Sequence, residues 1–124
     1  MQALSRFLVS VMAFVAPVLA LAHAHLDSSR PANGSTLAAA PTQVALQFSD
    51  SLSLTAATLE KVGGKPEPLK DLPNELSRGQ VLPLPKLGDG QYVLRYRGVS
   101  EDMHEAQGSL RFTVSSKPSG PKAP

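Results

Sequence analysis

The chain contains three histidines, His23, His25 and His104. His23 and His25 flank Ala24, and His104 lies far downstream in Glu101-Asp102-Met103-His104-Glu105. Asp102 and His104 stand two apart, and in an extended segment residues at that spacing project to the same side. One carboxylate and one imidazole are therefore expected to point together, with room for a further donor. His23 gains special chemistry if the chain is cut just before it. A free amine and an imidazole on one residue form a chelate, so part of the entropy of the second metal bond is prepaid. Nitrogen donors with one carboxylate oxygen suit Cu(II) in a tetragonal set. Zn(II) accepts the same donors, but Cu(II) binds more strongly at an equivalent site. Cysteine is absent, which excludes thiolate metal sites, thiol nucleophiles and redox dithiols.

His25 offers a competing mode. A terminal amine followed by histidine at the third position can hold Cu(II) in a plane, using the amine, two deprotonated amides and that imidazole. The two modes share the amine. The planar one also consumes amide donors where a first strand begins, so His23, Asp102 and His104 are the preferred metal set. Met103 is expected to point away from its neighbours and to serve packing or lie exposed.

The proposed cut has its own signature. Residues 1–22 open with one positive charge at Arg6, continue as an apolar run from Phe7 to Leu21 broken by Ser10 and Pro17, and end in Ala20-Leu21-Ala22. That is the layout of a secretory signal peptide, and the run is shorter than the ~20 apolar residues of a spanning helix. A cut after Ala22 makes His23 the first residue; Ala22-His23-Ala24 allows a cut two residues later. The pattern leaves both cuts open; one domain is expected to follow as far as residue 115, then a disordered tail at 116–124, where no large apolar residue occurs.

The elements that must position these residues read as strands. Leu26 to Ser29 is a short strand, and Arg30 to Ser35 a turn marked by Pro31 and Asn33-Gly34. Val44, Leu46 and Phe48 alternate with Ala45, Gln47 and Ser49, the period of a half-buried strand. Ser51 to Thr55 reads as a loop or bend, Ala57 to Val62 as a strand, and Lys65 to Arg78 as an irregular connection with one extended piece near Glu67. Gln80 to Leu84 reads as an edge strand because of Pro83 and Pro85. Tyr92 to Arg97 and Ser109 to Ser115 alternate clearly, with the Asp102–His104 run between them. About seven short strands without a helical period predict an all-β fold, a small antiparallel β-sandwich or barrel. The formal net charge is +2. Lysines and arginines are scattered along the chain, and aromatics are few, so neither nucleic acid nor an anionic membrane surface is implied.

The run His23 to Ser35 (His-Ala-His-Leu-Asp-Ser-Ser-Arg-Pro-Ala-Asn-Gly-Ser) resembles the mature N-terminus of the CopC copper-resistance family. Val44 to Leu52 resembles the next strand of that family, Gly90 to His104 its closing hairpin and site loop, and Gly108 to Val114 its last strand. The match is weakest from Thr55 to Gly79. The resemblance implies a Greek-key, Ig-like or cupredoxin-like β domain in the periplasm that binds one Cu(II) per chain and is not an enzyme. Aligned on Leu26 and the Ser-Ser-x-Pro turn, the resemblance puts the family's first residue on His23, which implies a cut after Ala22, a signal at 1–22 and a domain at 23–115. Carried over residue by residue, the ligands are the amine and imidazole of His23, the Asp102 carboxylate and the His104 imidazole. It also implies copper resistance or homeostasis as the role, and work as a monomer beside an inner-membrane copper protein. Two departures stand out. Glu105 follows the loop histidine where the family often has proline, a change that could loosen the loop. The methionines Met1, Met12 and Met103 provide no thioether cluster for Cu(I), a second site of some members. The competing readings are a metal-free exported interaction module and, from the terminal histidine chelate, a small copper oxidase-type enzyme.

Overall fold

The computed structural model describes residues 24–116. His23, the expected signal segment 1–22 and residues 117–124 of the expected tail lie outside the described residues. Seven strands are present: β1 (Leu26–Arg30), β2 (Ser35–Leu37), β3 (Gln43–Lys61), β4 (Pro66–Pro68), β5 (Ser77–Pro83), β6 (Gly90–Ser100) and β7 (Glu105–Val114). The described residues are all-β, as the alternating pattern predicts.

β3 organises the molecule. Its first half pairs with β1 and β5, and its second half with β4 and β6. β6 continues to β7, and β7 to β2. The sheet curls at β3 so that both halves share one core. Phe48 from the first half meets Tyr96 of β6 edge to face, with ring centroids 5.3 Å apart. Tyr92 stacks on Phe112 at 5.5 Å. Such aromatic pairs add to the burial of Val44, Leu46, Leu52, Leu82, Leu94 and Leu110 around them.

The loop expected from Ser51 to Thr55 is not there; β3 runs through it unbroken. Leu52 and Leu54 are buried while Ser51, Ser53 and Thr55 are more exposed. The alternation is thus intact, but its polar half is serine and threonine, which imitates a bend. The register with β6 shifts between Leu54 and Ala56. That bulge moves the buried phase from Leu52 and Leu54 to Ala57 and Leu59.

The expectation of an antiparallel sheet holds except at β2, which lies parallel to β7. After the cis peptide Arg30–Pro31, the chain leaves β1 and crosses to β7. The Asn33-Gly34 turn docks there: Asn33 Oδ1 accepts from the Arg111 amide at 2.9 Å, and the Gly34 amide donates to the Arg111 carbonyl at 2.6 Å. The turn signal therefore marks a crossover between sheet edges and not a hairpin, and it leads into a strand at Ser35. β5 pairs with β3 alone and is an edge, as its prolines predict.

Candidate metal centre

β6 and β7 form a regular antiparallel pair up to Val99 opposite Glu105. Beyond it the chain must reverse within a few residues. The Met103 amide donates to the Ser100 carbonyl at 2.9 Å, and the Ser100 amide donates to the His104 carbonyl at 2.9 Å. Met103 has φ 68°, the left-handed conformation that ends a three-residue hairpin loop. Asp102 and His104 thus meet on a tight turn and not on the extended segment that their spacing suggests. The turn still brings them together: Asp102 Oδ2 lies 2.7 Å from His104 Nδ1.

Ser100 is the residue that sequence reasoning missed. It is buried at the end of β6, and its hydroxyl reaches Asp102 Oδ1, with the His104 carbonyl also within 3.1 Å. Its position two residues before an aspartate at a strand end was the available signal. The hydroxyl and, after it, the His104 ring hold the Asp102 carboxyl well below the ordinary carboxylate range, at about 2. The carboxylate is consequently a fixed anion and acceptor at neutral pH. The side chains remain reachable, with Asp102 42% and His104 62% exposed. Met103 projects into solvent, 81% exposed, and takes no part in this pair.

Glu105 opens β7 opposite Val99 and pairs with Arg97 Nε at 3.1 Å. At the other end of the candidate set, Ala24 is buried in the core. Ala24 and His25 line the same cleft as Glu105 and Ala106, the residues that follow His104. The His25 amide donates to Ser49 Oγ at 2.9 Å, and its carbonyl accepts from the Ser49 amide at 2.8 Å. His25 itself is exposed. Among the described residues no group of three or more His, Asp or Glu side chains converges as a metal cage. They bring together the Asp102–His104 pair.

A CopC domain model matches residues 26–115. The chain belongs to the CopC family. Protein YobA of Escherichia coli K12 is 35% identical over 98 residues, covering 75% of this chain and 79% of YobA. Copper resistance protein C of Xanthomonas campestris pv. juglandis is 32% identical over 123 residues, covering 91% of this chain and 96% of that protein. The crystal structure of CopC from Methylosinus trichosporium OB3b superposes with a TM-score of 0.64 at 29% identity, over 74% of this chain and 93% of that one. The CopC match begins at Leu26 and ends at Ser115, so it contains the Asp102–His104 turn and the whole seven-stranded fold. It confirms the family resemblance over Leu26 to Ser115, with His23 to His25 lying before the match.

Proposed function

We propose that this CopC-family chain is a periplasmic Cu(II) carrier or buffer that takes one copper ion per mature molecule and performs no catalysis. The ligands are the amine and imidazole of His23, exposed by removal of residues 1–22, with the Asp102 carboxylate and the His104 imidazole. The observation that carries this reading is the Asp102–His104 pair, 2.7 Å apart on a hairpin tip. With metal–ligand bonds of about 2 Å, neighbouring corners of a tetragonal set lie about 2.8 Å apart. The pair therefore already has the spacing of two adjacent ligands, and would hold Cu(II) in place of its mutual hydrogen bond.

Three further features support the set. Relatives in Xanthomonas campestris pv. juglandis and Escherichia coli are named copper resistance protein C, which favours copper as the ion. Ala24, anchored in the core next to the start of β7, leaves His23 one residue, about 3.8 Å of chain, from that anchor. The His25 amide is committed to Ser49, so the competing planar mode, which must deprotonate that amide, would break a bond that starts β1. Metal ligands that pre-exist on a rigid turn need little reordering, which favours a carrier that loads and unloads its cargo. The molecule acts as a monomer and passes copper to or from an inner-membrane protein.

The test is electron paramagnetic resonance of the mature chain with one equivalent of Cu(II). The expected spectrum is a single tetragonal, nitrogen-rich species that disappears in His104→Ala and changes when an extra residue precedes His23. A spectrum indifferent to both changes would sink the assignment.

A further inference from the structure

Every lysine among the described residues faces one groove. Lys61, Lys65, Lys70 and Lys86 all line a cavity of about 630 Å³ between the edge strands β4 and β5. They are scattered in the sequence, from which no clustering is expected, and the fold gathers them. All are exposed. None takes part in an ion pair among the described residues, although arginines 78, 95 and 97 each do. Glu67 and Asp71 also line the groove, leaving an excess of two positive charges (four lysines against two acids). Unpaired like charges around one opening repel each other, and an anion relieves that repulsion.

The floor is apolar. Leu59, Leu69 and Tyr92 are buried at its base, and Leu84 and Leu87 are half-buried in its wall. Tyr92 spends its hydroxyl on the Gly88 carbonyl at 2.7 Å, so its ring offers an apolar surface. The exposed large apolar side chains Val62, Leu76, Val81 and Met103 do not line the groove. Its apolar atoms are recessed and its charges stand on the rim. A flat bilayer would need the reverse, with protruding apolar groups. A narrow occupant that inserts an apolar side chain and carries carboxylates on either side fits this arrangement.

The edges decide how such an occupant binds. β4 begins and ends in proline, and β5 ends in Pro83 with Pro85 just beyond. Prolines lack the amide needed to extend a ladder, so strand addition is disfavoured and recognition falls to side chains. The groove is also remote from the metal turn. Tyr92 and Ser100 lie near opposite ends of β6, about 26 Å apart at a strand rise of about 3.3 Å per residue. The turn end is acidic, with Asp50, Glu101 and Asp102 around one hollow. Charge is thus segregated between two poles.

The geometry points to the lysine-rimmed groove as a docking site for an acidic, leucine-bearing segment of a partner protein. It leaves the copper turn exposed while the partner is held, and it stands independently of the copper assignment. The probe is a fluorescent synthetic peptide of alternating glutamate and leucine, followed by anisotropy with the mature chain. The expected result is saturable binding that weakens as salt rises. Replacing all four lysines (Lys61→Gln, Lys65→Gln, Lys70→Gln and Lys86→Gln) weakens it by at least about 10-fold, through loss of charge complementarity. Exposed lysines tolerate this change, and unaltered Cu(II) uptake and melting temperature verify the fold. A peptide with glutamine in place of glutamate should not bind. Binding of both peptides alike, equal binding by the four-lysine variant, or no peptide binding would each overturn the proposal. Co-sedimentation with phosphatidylglycerol vesicles in the absence of peptide binding would likewise overturn it and make the surface a membrane contact.

Discussion

A hydroxyl two residues upstream sets the charge of Asp102. Ser100 is the largest cause, and His104 the next, of a carboxyl value lowered to about 2. Because this lies below the ordinary value of about 3.9, the contribution to stability is complete above that value and is lost as pH falls through about 2. A carboxyl carbon NMR titration should show the Asp102 midpoint near 2. In Ser100→Ala the midpoint should move upward toward the ordinary range, and Cu(II) affinity should fall by about 10-fold, as for loss of an orienting partner behind a ligand. An unmoved midpoint would remove Ser100 from the site. Met103 tests the turn itself. Its φ of 68° suits glycine better than a side chain with a Cβ, so Met103→Gly should raise stability by about 0.5–1 kcal/mol. Copper affinity should stay the same in urea-melt and competition assays of that variant, because Met103 lies outside the ligand set.

Among the elements, β3 makes the most pairings and was legible only in part. The alternation of Val44, Leu46 and Phe48 was legible, as were β6 and β7 with their Tyr92-Leu94-Tyr96 and Leu110-Phe112-Val114 faces. Leu52 and Leu54 follow the same period, but serine and threonine between them look like a turn, and the bulge before Ala57 changes phase in mid-strand. β2 was illegible because its pairing is parallel and non-local; nothing in Ser35-Thr36-Leu37 reports its partner Phe112–Val114. The site was half legible. The residue pair Asp102 and His104 was found, but for an extended geometry, whereas Met103 in the left-handed region makes the approach. Ser100 was overlooked because its one signal, a place two residues before an aspartate at a strand end, does not report where the turn sets that carboxylate.

The junction of the two halves of β3 depends on Gln80. It is 1% exposed, and the two hydrogens of its amide nitrogen are shared among the carbonyls of Leu52, Glu75 and Ser77 at 2.5, 3.0 and 3.2 Å. Leu52 pairs with both Ser77 of β5 and Ser100 of β6, so this amide braces the strand next to the Asp102–His104 turn. Gln80→Met removes the donor and should cost about 2 kcal/mol, the penalty for stranding buried carbonyls. Gln80→Glu sets a carboxylate against those oxygens and should cost more, an ordering that urea denaturation can check. Gly98 marks a close approach in the same region. A Cβ there would lie 2.7 Å from the Ser53 carbonyl and 2.8 Å from Leu52 Cγ, so Gly98→Ala should destabilise by about 1–3 kcal/mol through overpacking.

At the scale of the whole molecule, one curled sheet separates an acidic pole that carries the candidate metal turn from a basic groove at the other end. A domain without cysteine depends on this single core, so cargo binding should register directly in its stability. Cu(II) at about 100 times its dissociation constant should add about 2.7 kcal/mol to the folded state, and His104→Ala should abolish the gain. The central claim concerns the first residue of the exported chain. It is tested most directly by the native mass spectrum of the protein recovered from the periplasm, recorded with one equivalent of Cu(II). The account predicts a chain that begins at His23 and carries one copper ion. A chain that begins at His25 and binds copper equally well, or a chain that begins at His23 and binds none, would contradict it.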